Sequence, residues 1–271
     1  MFLIFDTYAG LCNQMYDIHT SINFCLINNI EFTFRYAALR STNNLTNWYK
    51  TDFNNIFDDS FINTSLYKPF HTIHSNECNT FNYDSDVRCV EWLNVDSAIY
   101  PQLEQINKSF IIMRQFWCVY KNFKDVEYFY NKILPSPKLI SLYKQYIKLP
   151  DKYNLIHYRY EKDFIEHFNI TNHRKLCDII ENYKFKDNTL PIYIATFEIT
   201  KIPPEYFTKN VTHYNNILLK NTQMNGYNFE ELAFIDFMIG KNAQEIVGHR
   251  RSSFSVLLNS AHQTNNYYNY N

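Results

Sequence analysis

The chain has 271 residues, of which 46% are hydrophobic and 18% aromatic, so it can fold into one large domain or two modest domains, each with a core. Its net charge of -1 and pI near 6.7 exclude a dedicated nucleic-acid-binding protein, since such a protein carries a basic face. No stretch approaches the roughly 18 apolar residues of a membrane span. The apolar start is too short and too soon acidic for a signal peptide, so we expect a cytoplasmic protein.

The six cysteines are scattered along the chain, without a CxxC pair or a paired-histidine spacing. Such a pattern predicts no zinc site, and an even cysteine count alone is weak support for disulfides. We therefore expect no bound metal.

The first 34 residues predict a strand at 2–5, a loop that contains Gly10, a helix at 15–27 and a second strand at 30–34. This order is that of the βαβ unit that opens a nucleotide-binding type of domain. The stretch 40–97 is rich in Asn, Asp, Ser and aromatic residues with weak periodicity, so it predicts irregular structure and short helices.

The rest of the chain predicts a strand at 109–113, helices at 126–134 and 139–147, and then a second βα series. Its strands are predicted at 154–158, 191–195, 211–214 and 245–248, and its helices at 174–183, 229–241 and 252–261. Prolines 135 and 137 favour extended backbone between the two earlier helices. We therefore predict an α/β protein of two Rossmann-like domains facing a cleft, at 1–135 and 136–264, with a disordered tail at 265–271.

A cluster of charge follows the apolar residues that end the predicted strand at 154–158; it comprises His157, Arg159, Glu161, Lys162 and Asp163. In an open α/β sheet, ligands bind outside the carboxyl ends of the strands. An arginine there can hold a phosphate through its planar, permanently charged guanidinium. The alternative is a surface loop in which Arg159 only pairs with Glu161 or Asp163, and the sequence of residues 155–164 does not choose between the two.

Two further segments have the composition of anion sites. Gly10 allows a tight turn between the first strand and helix, where backbone N–H groups can face a ligand, although a glycine turn is usually only a turn. Arg250, Ser252 and Ser253 precede the last helix, whose free N–H groups and dipole attract anions. The alternative there is a capped helix with solvated arginines. Asp236 lies among apolar residues and needs a partner if it is buried.

These motifs, in this order, resemble those of the GDP-fucose O-fucosyltransferase family and related inverting fucosyltransferases. The resemblance rests on Gly10-Leu-Cys-Asn-Gln14, on His157-Tyr-Arg-Tyr-Glu-Lys-Asp163, and on Asp236 followed by Ser252-Ser-Phe-Ser255. It covers the first helix and most of 150–260, whereas 40–130 matches no motif of the family. The chain is also short for the family. Asn, Tyr, Phe, Ile and Lys dominate its composition, as is typical of proteins encoded by AT-rich genomes. Together these features suggest a microbial or viral enzyme.

The resemblance implies a GT-B fold and an inverting, metal-independent transfer of fucose from GDP-fucose to a glycan or protein hydroxyl, with no cofactor. The N-terminal domain would take the acceptor and the C-terminal domain the nucleotide sugar. The catalytic residues would be Arg159, on the diphosphate, with Glu161 and Asp163. Donor-binding residues would be Gly10, Asn13, Gln14, His157, Asp236, Arg250, Ser252, Ser253 and Phe254.

Three points stay open at the level of sequence. The base that deprotonates the acceptor could be Asp6, Asp17, His19 or Glu161. The donor could be another nucleotide sugar, or the protein could be a non-catalytic nucleotide- or glycan-binding relative. A structural or partner-binding role would draw on the tryptophans of the 40–130 region, which are more typical of a core or an acceptor platform.

Overall fold

The computed structural model describes residues 2–42, 44–71, 110–114, 132–170, 175–183, 185–197, 217–218, 226–262 and 267–269. The chain divides into two compact units, one of Met1–Arg40 and Thr46–Lys138 and the other of Ser41–Leu45 and Leu139–Asn271. The predicted strand at 211–214 and most of the predicted helix at 126–134 lie outside the described residues. Leu134 itself lies in a short strand rather than a helix.

The first unit is built on a four-stranded sheet with strand order β3-β2-β1-β5. Its elements are β1 (Phe2–Asp6), α1 (Leu11–Asn28), β2 (Glu31–Ser41), β3 (Asn44–Asp52), β4 (Phe57–Asp58), β5 (Phe110–Arg114) and β6 (Leu134–Pro135). Strand β1 pairs in parallel with both β2 and β5. Its Leu3, Ile4 and Phe5 are buried, as expected for a central strand covered on both faces. The predicted opening βαβ unit is therefore confirmed.

Strand β3 corrects the prediction of irregular structure after residue 40. Its sequence, Asn-Leu-Thr-Asn-Trp-Tyr-Lys-Thr-Asp, is polar and has little alternation, so it lacks the usual strand signal. It lies at the edge of the sheet, where a strand needs less apolar surface. Helix α1 also begins earlier than predicted, at Leu11, because the amides of Asn13 and Gln14 already donate to the carbonyl of Gly10.

The second unit is built on a five-stranded sheet with order β11-β10-β7-β8-β9, in which every neighbouring pair is parallel. Its strands are β7 (Asn154–His157), β8 (Ile192–Ala195), β9 (Ile217–Leu218), β10 (Ile246–Gly248) and β11 (Tyr267–Asn269). Its helices, numbered on from α1, are α2 (Pro137–Tyr146), α3 (Lys162–His167), α4 (Leu176–Asn182), α5 (Phe229–Asn242) and α6 (Ser253–His262). The predicted strands at 154–158, 191–195 and 245–248 and the four predicted helices of this half are confirmed.

The core of the second unit packs α4 against the sheet. Ile156 of β7, Ile194 of β8 and Val247 of β10 lie in one cluster with Leu176 and Ile179 of α4. Two further elements go beyond the sequence patterns: the charged loop continues into α3, and three residues of the expected tail form β11, which pairs with β10. None of the described helices is both long and apolar enough to cross a bilayer.

Candidate functional site

The carboxyl edge of the second unit's sheet gathers polar side chains from three neighbouring strands. Because β7, β8 and β10 are parallel, the residues that follow them emerge at the same edge. His157 ends β7 and Arg159 follows it, Thr196 follows β8, and His249 follows β10. Thr196 and His249 were not predicted as site residues. Thr196 is buried, and no hydrogen bond to its hydroxyl forms within the described residues.

Arg159 lies at this edge with 16% of its side chain exposed. One terminal nitrogen is 3.1 Å from Oε2 of Glu161, and the guanidinium carbon is 4.8 Å from the centre of the Phe164 ring. The other oxygen of Glu161 accepts a hydrogen bond from the amide of Phe197, at 3.3 Å. Glu161 therefore joins the loop after β7 to the loop after β8, and the pairing of Arg159 with Glu161 is present.

That pairing is compatible with anion binding. A guanidinium carries several N–H donors in a planar fork, so one arginine can bind a carboxylate and an anion together. Phe164 supports the guanidinium by a cation–π contact, and its ring also meets the ring of His249 edge-on, with centres 4.8 Å apart. The acid and the aromatic ring together fix where Arg159 lies.

His157 is buried and is held from the first turn of α6. Its Nδ1 is 2.6 Å from Oγ of Ser255, and its ring centre is 4.3 Å from that of Phe254. Oγ of Ser255 also accepts a hydrogen bond from the amide of His249, at 3.0 Å. Ser255 thus connects the end of β7, the end of β10 and α6, a link that the motif containing Ser255 did not predict.

The residues before α6 form a tight turn. The amide of Ser252 donates to the carbonyl of His249 at 2.9 Å, and the carbonyl of Ser252 begins the α6 hydrogen bonds. Ser252 is buried, while Ser253 and Arg250 are exposed. Arg251 turns towards α3, where its Nη1 donates to the carbonyl of Phe168 at 3.5 Å. The predicted anion-binding segment therefore lies at the same edge as His157.

Asp236, predicted to contact a base, is buried in α5. Its Oδ1 accepts a hydrogen bond from the hydroxyl of Tyr193 at 2.7 Å. Burial, and then the negative charge of Asp236, raise the pKa of Tyr193 well above its ordinary value of 10. Tyr193 therefore stays a hydrogen-bond donor, and this oxygen of Asp236 faces the protein.

In the first unit, Gln14 holds the loop after β1 in place. Its amide oxygen accepts hydrogen bonds from the hydroxyl of Thr7 at 2.7 Å and the amide of Ala38 at 3.1 Å. Its amide nitrogen donates to the carbonyls of Ala9 and Ala38, at 2.9 and 2.7 Å. Ala9 has a φ of 69°, which is unfavourable for alanine. Gln14, predicted to bind a ligand, is fully buried and shapes the loop.

Gly10 lies close to the side chain of Arg40. A Cβ at position 10 would lie 3.2 Å from a terminal nitrogen of Arg40, which is tighter than ordinary contact. The Arg40 guanidinium in turn lies over the ring of Trp48 at 4.7 Å, and Trp48 stacks on Tyr8 with centres 5.2 Å apart. Asn13 is half-buried on the first turn of α1.

The four candidate bases are all buried and bonded within the protein. Both oxygens of Asp6 accept from Arg35, at 2.8 and 2.6 Å, and Asp17 accepts from the amide of Tyr8. The ring of His19 contacts the side-chain amide of Asn23, and Glu161 has the partners given above. The geometry therefore favours none of the four. Asp163 lies in α3, and its side chain is outside the described part of the structure.

The charged residues at the edge do not assemble a metal centre: within the described ranges, no three His, Cys, Asp or Glu side chains come together in a metal-binding group.

No protein-family model matches the sequence, and no curated protein matches it by sequence. The structure, however, is similar to POFUT1 in complex with GDP-fucose, with a TM-score of 0.60 and 11% identity over 99% of this chain and 97% of that chain. It is also similar to fucosyltransferase NodZ from Bradyrhizobium, with a TM-score of 0.51 and 8% identity over 94% of this chain and 92% of that one. The fold is that of the GT-B fucosyltransferases.

A third similar structure is a point mutant of Arabidopsis thaliana FUT1 in complex with GDP, with a TM-score of 0.52 and 10% identity over 96% of this chain and 68% of that one. All three proteins are fucosyltransferases, so the resemblance that the sequence motifs indicate extends to the fold. The predicted fold class, GT-B-like with two Rossmann-like domains, is confirmed.

Proposed function

We propose that the protein is a glycosyltransferase that transfers fucose from GDP-fucose to a glycan or protein hydroxyl, with inversion and without a divalent metal. The observation that carries the proposal is the position of Arg159, oriented by Glu161 and Phe164 at the carboxyl edge beside the start of α6. The similar structures of POFUT1 and FUT1 with GDP or GDP-fucose support a guanine nucleotide as ligand. We assign the donor to the C-terminal domain, 136–264, and the acceptor to the N-terminal domain, 1–135.

The part of the proposed reaction that most needs stabilisation is the departure of the GDP leaving group. When the bond between the sugar and the phosphate breaks, negative charge builds on the diphosphate, and a preorganised cation in a low-dielectric site stabilises that charge. Arg159 supplies the cation, because its direction is already set by the acid and the ring that it contacts. The helix dipole at the start of α6 adds a second attraction for the phosphates, together with the hydroxyls of Ser252 and Ser253.

The remaining predicted residues take supporting roles in this proposal. His157 and Phe254 line the proposed nucleotide site at the carboxyl edge. Arg250 contributes positive charge just before the start of α6. Gln14 acts through the shape of the loop after β1, where Gly10 and Asn13 stay predicted donor-binding residues. Asp236 contacts the base through Oδ2, because its Oδ1 accepts the hydrogen bond from Tyr193.

The proposal is tested by the release of GDP from GDP-fucose, with water as the acceptor and EDTA present. We expect wild-type protein to release GDP and to give fucose whose first-formed anomer is inverted relative to the donor, as followed by NMR. Arg159→Ala should lower the rate about 100- to 1000-fold, as for loss of a donor that stabilises developing charge. Lys152→Ala, which removes an exposed cation elsewhere in the same unit, should leave the rate unchanged.

Two results would contradict the proposal. Release of a nucleotide from UDP-sugars but not from GDP-fucose would show that the donor is a UDP-sugar. Fucose released with the anomeric configuration of the donor would show that the mechanism is retaining and not inverting.

A further inference from the structure

Ser255 joins two histidines beneath the edge that holds Arg159. It is buried in the first turn of α6 with 0% exposure. Its hydroxyl oxygen lies 2.6 Å from Nδ1 of His157 and 3.0 Å from the amide nitrogen of His249. The proposed reaction uses His157 but gives Ser255 no part.

Counting hydrogens assigns the direction of both bonds. The amide of His249 can only donate, so it occupies one of the two lone pairs of the Ser255 oxygen. The hydroxyl then has one hydrogen to give, and among the described residues the acceptor at hydrogen-bond distance is Nδ1 of His157. An Nδ1 that accepts carries no proton, so the proton of the neutral His157 ring lies on Nε2.

The orientation of the His157 ring is fixed as well as its tautomer. Phe254 packs against it with ring centres 4.3 Å apart, and Phe254 is itself held edge-on by Phe237, at 5.7 Å. With Nδ1 turned to Ser255, Nε2 lies on the opposite side of the ring. The N–H donor of the neutral His157 ring is therefore Nε2, at the end of β7.

We propose that Ser255 is a positioning residue that makes His157 a neutral Nε2–H donor to a nucleoside diphosphate at the carboxyl edge. The inference rests on the proposed function for the identity of that ligand, but not for the tautomer. In the other tautomer Nε2 would turn a lone pair towards a phosphate oxygen, and two acceptors repel. Ser255 therefore acts on binding without touching the ligand.

His249 provides an internal comparison. Its Nδ1 accepts a hydrogen bond from the amide of Arg251 at 3.2 Å, which gives this ring the same Nε2–H tautomer in its neutral form. That assignment depends on a backbone donor and not on the Ser255 hydroxyl. A substitution at position 255 should therefore change the tautomer of His157 and leave that of His249.

The experiment is ¹⁵N NMR of histidine-labelled protein, which distinguishes ring nitrogens with and without a proton, with His157→Asn to assign the signals. We expect wild-type His157 to be the Nε2–H tautomer, Ser255→Ala to give a mixture of tautomers, and Ser255→Thr to restore the wild-type pattern. Ser260→Ala, the same change on the same helix where the hydroxyl donates to the carbonyl of Val256, should have no effect.

Calorimetric titration with GDP supplies the functional readout. Hydrogen bonds to charged groups contribute enough that misdirecting one should weaken binding about tenfold in Ser255→Ala, with recovery in Ser255→Thr. An Nδ1–H tautomer in the wild type, or an unchanged tautomer in Ser255→Ala, would overturn the inference. A wild type with the expected tautomer that binds no GDP would overturn the proposed function, while the positioning role of Ser255 would stand.

Discussion

At the scale of single residues, two arginine–carboxylate pairs differ in what surrounds them. Arg35 and Asp6 are both buried and joined by two short hydrogen bonds, so their pairing serves the first unit's structure. Arg159 remains partly exposed at the end of a strand, and its pairing with Glu161 leaves it facing an edge where ligands bind. The same two residue types form a buried pair in one place and lie at the proposed donor site in the other.

Asp6→Asn should therefore destabilise the protein rather than only inactivate it. The change leaves Arg35 as a buried charge without its carboxylate, which typically costs about 3–5 kcal/mol. Lys50→Ala is the control, because Lys50 is 48% exposed and 3.4 Å from the same carboxylate, and a pair of that kind contributes at most about 1 kcal/mol. Urea unfolding measures both. A stable but inactive Asp6→Asn protein would instead identify Asp6 as a catalytic base.

At the scale of elements, the contact between α5 and α6 determines where the edge residues of α6 lie. A Cβ at Gly240 of α5 would clash with the methyl groups of Leu258 and approach its Cγ to 3.0 Å, and Leu258 is fully buried. Gly240→Ala should therefore destabilise the second unit by about 1–3 kcal/mol through overpacking, despite a gain of up to about 1 kcal/mol in helix propensity. Because α6 also carries Ser255, we expect weaker GDP binding too.

A double-mutant cycle with Leu258→Ala tests this contact. Leu258→Ala alone opens a cavity and should cost about 2–5 kcal/mol. If the clash is real, the added methyl at position 240 enters that space. The loss in the free energy of unfolding of the double variant should then be smaller than the sum of the two single losses by about 1 kcal/mol or more. Additive changes in the free energy of unfolding would show that Leu258 moves aside without strain.

At the scale of the whole molecule, both units bury tyrosines that must stay protonated. Burial raises the pKa of Tyr67 in the first unit and of Tyr153 and Tyr193 in the second above the ordinary value of 10. The hydroxyl of Tyr67 donates to Asp59, that of Tyr153 to the carbonyl of Ile239, and that of Tyr193 to Asp236. A tyrosine that holds its proton more tightly when folded stabilises the protein fully below its unfolded pKa and loses that contribution as pH rises.

The free energy of unfolding should therefore fall progressively above pH of about 10. Tyr193→Phe should reduce the steepness of that fall while lowering stability at neutral pH by about 1–3 kcal/mol, since it leaves a buried acceptor of Asp236 without this donor. Urea unfolding at a series of pH values, with Tyr49→Phe at an exposed position as the control, measures both effects. A pH dependence unchanged in Tyr193→Phe would contradict the account.

Sequence reasoning succeeded where one element carries the whole signal. The strands β7 and β8 and the helix α5 are apolar runs with clear ends, and the position of Arg159 at the carboxyl edge could be predicted because it follows such a run. The link from Ser255 to His157 and His249 could not, because it depends on β10 lying beside β7 although β8 and β9 come between them in the chain. The hydrogen bonds of the Gln14 side chain to the loop after β1 could not be predicted either, because its motif gives the residue type but not the direction of its amide.

The most direct test of the central claim is calorimetric titration of the protein with GDP in the presence of EDTA, comparing wild type, Arg159→Ala and Lys152→Ala. We expect the wild type and Lys152→Ala to bind GDP equally. Losing the charged contact should weaken binding by Arg159→Ala about 10- to 100-fold. Equal affinity of Arg159→Ala and wild type, or no binding of GDP by any of the three, would contradict the assignment of the carboxyl edge as a guanine-nucleotide site.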